Sequence, residues 1–408
     1  MATNGQDVPH GDVHAVSGAS ATQDANAPVS TSNSTGKIDK AHSGNGPEKT
    51  EAEIYHERVG CGLFWAVGKF RPTNYMILCQ RPLNGDLRKP NYNNDYIAPL
   101  FRDHLMPARK FLYSLPFANS IYKYVVEEVL GAHGMINYVD ARTAWIDDIV
   151  KQAQWQGITQ VVVIAAGYCT RAYRLKTGST QFFEVDLPQV SQKKIDLVDA
   201  VIPDKQKFPR PEYVGADLAT TPVAEALTTH GFDPSKPTLF TCEGILCYLP
   251  QGAVDGLMRQ ISALAAPGSR VCFDALHRDH MDGRVHNRGF SCGVEALKAR
   301  GEPLLSSFEC TPPGIQEYFQ PLHWKLTELL SPKDMTEKRF KHLQWREKRP
   351  PMLPFESYVL LEKLEGASES KALPEITNIT ASTAPIAESA HEVAPTEAAP
   401  SAPEAAAA

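Results

Sequence analysis

Gly167, Asp186, Asp217 and Glu243 are spaced along this chain as a ligand-binding set would be. Each stands at the carboxyl end of an apolar run. Val161 to Ile164 leads through Ala165 and Ala166 to Gly167, and Phe182 to Val185 leads to Asp186. Tyr213 to Ala216 leads to Asp217, and Thr238 to Cys242 leads to Glu243. An unbroken apolar run such as Val161–Ile164 reads as a strand buried on both faces, as in a parallel sheet. The small residues after it let a ligand approach the backbone closely. Asp186 follows Gly167 by nineteen residues. That is the layout of a nucleotide-binding βαβ unit, with the acid placed for ribose hydroxyls. A lone strand-end acid is usually a turn residue or a helix cap. Three acids at three successive strand ends favour a ligand that is cationic or rich in hydroxyls.

The elements that must position these residues are legible around them. A helix is expected from Asp140 to Gly157, with Ala144, Ile146, Ile149, Val150 and Ala153 on its apolar side. Later helices are expected after Pro188, from Val223 to His230, from Val254 to Ala265 and from Pro332 to Leu343. A fifth strand follows at Arg270–Leu276, then Trp324–Leu330 and Phe355–Leu364. Strands alternating with helices imply an α/β fold with a doubly wound, mostly parallel sheet of seven strands. Residues 51–139 are aromatic-rich, and Ile121, Val125, Val126, Val129 and Leu130 sit at helical spacing, which predicts an N-terminal helical cap. The main domain then covers 140–365. Within it, 277–320 is polar and rich in Gly and Pro, and reads as an irregular lid or substrate wall. Residues 1–50 and 366–408 hold too few large apolar groups to offset their ordering entropy, so both are expected to be disordered tails.

The bulk numbers exclude several classes. Of 408 residues, 42% are hydrophobic, enough for a sizeable core, and the net charge of −6 argues against nucleic acid as a partner. No apolar run is long enough to span a membrane, and the N-terminus lacks a signal-peptide core. The eight cysteines are scattered without a C-x-x-C pair and read as buried free thiols in a reducing, cytoplasmic setting. His277 and His280 have ligand-like spacing, but no third ligand lies at a matching distance, so no metal is expected.

Five segments, in order, carry a resemblance: Ala141–Asp147, Gln160–Leu175, Phe183–Pro188, Gly215–Leu218 and Cys242-Glu-Gly-Ile-Leu-Cys-Tyr-Leu-Pro250. Together they resemble the leucine carboxyl methyltransferase family, whose members methylate a protein phosphatase C-terminus or diverse small molecules. The resemblance implies a Rossmann-like methyltransferase sheet and S-adenosyl-L-methionine as cofactor. It implies that Arg142 holds the methionyl carboxylate, that Gly167 lies against the methionyl part and that Asp186 takes the ribose hydroxyls. Asp217 with Leu218 would frame the adenine, and Glu243 would face the amino group and sulfonium. The chain departs from the family pattern twice. Ala165 replaces a glycine and Cys169 replaces an aspartate. If position 165 needs a positive φ, alanine there is strained by about 1 kcal/mol or more.

Methyl transfer from a sulfonium is an in-line displacement, so catalysis is mostly alignment. The expected activity is methylation of a carboxylate, on a small molecule or a protein C-terminus. Such an acceptor is already ionised and needs an orienting donor rather than a base. Arg171, Arg174, Tyr248 and His277 are candidates by position. A phenol or alcohol acceptor would need a base such as His277 or His280. The alternatives are a non-catalytic binding protein of the same fold and an NAD(P)-dependent dehydrogenase. The second lacks its G-x-G-x-x-G element here.

Overall fold

The computed structural model describes residues 73–86, 93–107, 110–111, 115, 117–129, 132–299, 301–340 and 351–365. Both expected tails and the first part of the expected cap lie outside the described residues.

The apolar runs form the strands β1 Gln160–Ile164, β2 Gln181–Asp186, β3 Glu212–Gly215, β4 Thr238–Cys242, β5 Arg270–Leu276, β6 Trp324–Leu330 and β7 Glu356–Lys363. They make one sheet in the order β3-β2-β1-β4-β5-β7-β6. The first five strands run parallel, and β7 lies antiparallel to both β5 and β6. All five residues of β1 and of β4 are buried, as an unbroken apolar run requires.

Side-chain alternation splits the core into two layers. Val162, Ile164, Phe183 and Phe240 pack with helices Val223–Thr228, Gln251–Leu264 and Pro312–Phe319. Val161, Val163, Phe182 and Leu239 pack with helix Met135–Trp155 on the opposite face. The sheet is therefore wound on both sides, with the core between it and each helical layer. The register pairs Ile164 with Val185 and with Cys242. Gly167, Asp186 and Glu243 consequently leave the sheet at one edge, where the strand order reverses between β1 and β4. That reversal is where doubly wound sheets place their ligands.

The structure corrects two expected boundaries. The helix expected from Asp140 begins at Met135, so residue 140 is interior to a 21-residue helix rather than its start. Gly134 precedes it at φ 79°, and a Cβ there would lie 2.4 Å from the Met352 carbonyl carbon, so only glycine fits the junction. The second correction concerns 277–320. It contains helices Arg278–Met281, Arg288–Ala299 and Pro312–Phe319. Phe290, Cys292 and Ala296 form the buried side of the middle one, and the surrounding Gly and Pro residues obscure that periodicity.

The cap helix expected around Ile121 is present as Ala118–Tyr124, continuing as a π-turn over Val125–Val129. The helix at Pro332 ends at Arg339 and starts with a reciprocal capping box between Ser331 and Asp334. Among the described cysteines six are free thiols, but Cys292 is disulfide-bonded, against the expectation of free thiols throughout. Among the described residues no helix is long and apolar enough to cross a membrane.

Candidate active site

Asp186 ends β2, and its carboxylate is gripped by backbone. Gly167 N–H donates to Oδ2 at 2.7 Å and Leu187 N–H to Oδ1 at 2.8 Å. Each oxygen keeps a second lone pair uncommitted, and the residue is only half-buried. This is an acceptor fixed in direction and left open to a hydroxyl pair. The Gly167 loop that holds it turns through Ala165 at φ 52°. The alanine that replaces the family's glycine thus sits in the left-handed region, and the expected strain is present. Asp217 is exposed; its Oδ1 accepts from Ala219 N–H at 2.9 Å, closing its own turn. Leu218 beside it is half-buried against the core.

Glu243 ends β4 in a different setting. Arg142 Nε donates to its Oε1 at 3.1 Å, Arg171 Nη1 donates to Oε2, and Arg81 lies 3.6 Å away. Burial alone would raise its pKa, but Arg171, then Arg142 and Arg81, outweigh that and hold the carboxyl well below the ordinary range. Arg142 also donates through Nη1 to Asp274 Oδ2 at 2.9 Å and to the Tyr138 hydroxyl at 2.9 Å. Tyr138 and Arg142 lie one turn apart on Met135–Trp155, so a single helix face delivers both. Asp274 accepts from Gly244 N–H at 2.6 Å. Gly244 has φ 64°, and a Cβ there would approach Arg142 Nη1 to 3.1 Å.

The same network extends to residues N-terminal to helix Met135–Trp155. Arg171 Nε meets Asp147 at 2.8 Å, its Nη2 meets the Thr143 carbonyl at 3.2 Å, and its Nη1 also reaches Cys169 Sγ at 3.5 Å. Arg174 grips Asp147 with both terminal nitrogens, at 2.8 and 3.1 Å, and pairs with Asp95 at 3.3 Å. Arg81 lies 3.6 Å from Asp95. Four guanidinium groups, Arg81, Arg142, Arg171 and Arg174, therefore interlock with four carboxylates, Asp95, Asp147, Glu243 and Asp274. The charges balance, which is the condition for burying them.

Sequence reasoning placed Arg142, Gly167, Asp186, Asp217, Leu218 and Glu243 in one site. The structure brings all six strand-end and helix positions to the same sheet edge. Arg142 presents one terminal nitrogen, Nη2, that no described residue engages. Of the candidates for orienting an acceptor, Arg171 and Arg174 have all three nitrogens committed to protein partners. His277 is hydrogen-bonded to Ser357 Oγ at 2.7 Å, and burial, then His280, pushes its pKa down to about 4, so the ring is neutral at pH 7. His280 is buried, and its pKa is also lowered by burial. Tyr248 is half-buried, with its pKa raised by burial and by Cys247.

Sequence reasoning missed Asp274, Tyr138 and the roles of Asp147, Arg81 and Asp95. A signal for Asp274 existed, since it is the lone acid inside the apolar run Val271–Leu276. Arg81 and Asp95 gave none, because residues 51–139 carry no motif. Among the described residues no cluster of His, Cys, Asp and Glu is placed to hold a metal ion.

An open, backbone-held acid beside the point where the strand order reverses is the arrangement of proteins that bind a nucleoside-bearing cofactor. Comparison with known proteins narrows it. The sequence model described as leucine carboxyl methyltransferase matches residues 81–262. A Mycobacterium tuberculosis protein provisionally named an S-adenosyl-L-methionine-dependent methyltransferase is 33% identical over 251 residues, covering 56% of this chain and 77% of the relative. A Mycolicibacterium vanbaalenii protein provisionally named in the same way is 40% identical over 218 residues, covering 51% and 68%. A crystal structure of a DUF574 family protein from Streptomyces avermitilis aligns at 15% identity with a TM-score of 0.43, covering 65% of this chain and 97% of that one. The chain belongs to the leucine carboxyl methyltransferase family of S-adenosyl-L-methionine-dependent methyltransferases. The dehydrogenase and non-catalytic alternatives do not survive this assignment.

Proposed function

We propose that the chain transfers the methyl group of S-adenosyl-L-methionine to an oxygen acceptor by in-line displacement. The observation that carries this reading is Asp186, held by two backbone N–H groups with a lone pair open on each oxygen at the point where the strand order reverses. In this reading Asp186 takes the ribose hydroxyls and Gly167 lies against the methionyl part. Asp217 and Leu218 frame the adenine. Arg142 offers Nη2 to the methionyl carboxylate, and the negative charge of Glu243 faces the amino group and sulfonium. The cofactor supplies a methyl carbon already activated by its sulfonium charge. The chain's own contribution is binding, alignment and exclusion of water.

The acceptor is a small molecule or a protein C-terminus. Family likeness supports a carboxylate, which arrives ionised and needs only orientation. The surrounding arginines are committed to carboxylates of the protein, so such an acceptor would depend on Arg142 Nη2 or on neutral donors such as Tyr248. The test is incubation with methyl-labelled cofactor and a panel of carboxylic acids, phenols and a phosphatase C-terminal peptide. Label recovered as a methyl ester or ether is expected. Label on nitrogen or carbon, or on nothing in the panel, would overturn the oxygen-acceptor reading.

A further inference from the structure

The exposed apolar side chains are unevenly distributed. Among the described residues eleven large ones are exposed, and five of them, Phe111, Leu115, Phe117, Ile121 and Tyr124, fall within residues 111–124. Helix Ala118–Tyr124 carries the end of that run. Phe117, Ile121 and Tyr124 recur at i, i+4 and i+7, which sets them on one helix face, and they are 79%, 60% and 62% exposed. Single exposed apolar residues are ordinary, but several on one face mark an interaction site. The other face of the helix is already used, since Tyr122 packs with Leu83, Val126 and Ile136. A helix apolar on both sides is built to be covered on both. Phe117 itself stands at φ 66°, in the left-handed region that bulky side chains avoid. That backbone strain is held where the most exposed of the five side chains leaves the protein.

The charge around the run indicates what covers it. From His104 to Val126 the chain holds Arg109, Lys110 and Lys123 and no acid, although its net charge is −6. The acids that follow, Glu127 and Glu128, lie 3.8 Å from Lys123 and 3.6 Å from His133. Lys110 is exposed and borders a cavity of about 410 Å3 with Leu100, His104, Pro107 and Val201. The one carboxylate lining that cavity, Asp103, is paired with Arg102 at 2.9 Å. Large apolar and aromatic side chains accompanied by bases and no acid are the composition of a segment that lies in the interface of an anionic bilayer. A second copy of the chain seated on the same patch would set one basic, acid-free run against another, which a two-fold contact cannot avoid. We propose that residues 110–124 dock this protein on the surface of an anionic phospholipid bilayer. Phe117 and Ile121 enter the acyl boundary, Tyr124 stays at the headgroup level, and Lys110 meets lipid phosphate. Docking of this kind needs no spanning segment, and it is independent of which acceptor receives the methyl group.

The test is co-sedimentation of the full chain with vesicles of phosphatidylcholine, alone or mixed with phosphatidylglycerol. Wild type is expected to pellet with the mixed vesicles, less with phosphatidylcholine alone, and less again in high salt, which screens the basic contribution. Phe117→Ser combined with Ile121→Ser is expected to lower the partition coefficient about a hundredfold, about tenfold for each large apolar side chain withdrawn. Lys110→Glu is expected to weaken binding about thirtyfold on the mixed vesicles and to leave binding to phosphatidylcholine unchanged. Both variants keep the unfolding midpoint of wild type, because the substituted side chains are exposed. Wild type that stays in the supernatant with both vesicles, or variants that pellet as wild type does, would overturn the proposal. So would a dimer, seen by sedimentation equilibrium, that the double variant dissociates, because it would assign this face to a second copy of the chain.

Discussion

Asp186 and Glu243 end the two strands that flank β1, yet the molecule treats them oppositely. Asp186 is held by two peptide N–H groups and left half-open. Glu243 is enclosed by three arginines and nearly buried. Backbone donors fix a carboxylate's direction without neutralising its charge, so Asp186 remains available to a ligand. Guanidinium groups neutralise as well as orient, so Glu243 acts first on its own protein. The same carboxylate chemistry at equivalent strand ends therefore divides into an open half, β1 with β2, and a self-paired half, β4 with β5.

That division can be broken experimentally. Glu243→Gln should carry the largest stability effect, a loss of about 3–5 kcal/mol in denaturant unfolding, because it strands buried guanidinium charge. The loss depends on pH. The folded-state pKa of Glu243 lies below its unfolded value, so its stabilisation is complete above the ordinary carboxylate pKa and disappears progressively as pH falls toward the folded value. The gap between wild type and variant should close over that acid range; a gap independent of pH would remove Glu243 from the ion network. Asp274→Asn comes next, at about 1.5–3 kcal/mol, since Arg142 and the Tyr138 hydroxyl lose a charged acceptor. A variant as stable as wild type would show that the self-paired half tolerates an unbalanced guanidinium. Ala165→Gly acts on the other half and in the opposite direction. Relieving a left-handed alanine should add about 1 kcal/mol, with cofactor affinity equal or tighter. A destabilised variant would mean that surrounding packing, rather than backbone strain, governs that loop.

Much of this was legible in the chain itself. β1, β2, β4 and β5 were readable because buried parallel strands are rich in apolar residues, and the acids that end β2 and β4 followed from position alone. Ala165 stood out as a departure from the family's glycine, and the structure supplied its positive φ. The ion network was not legible, because its members come from residues 81 and 95, from helix Met135–Trp155, from the segments after β1 and β4 and from β5, and no local pattern links Arg81 or Asp95 to Glu243. The helix start at Met135 depended on contact between Gly134 and Met352, which are distant in sequence.

The ligand-facing role proposed for Asp186 is tested most directly by calorimetric titration of S-adenosylhomocysteine into wild type and Asp186→Ala, with unfolding of both followed in parallel. Losing an acceptor that meets both ribose hydroxyls should weaken binding about a hundredfold, while stability falls far less than in Glu243→Gln. Unchanged affinity in Asp186→Ala would contradict the account.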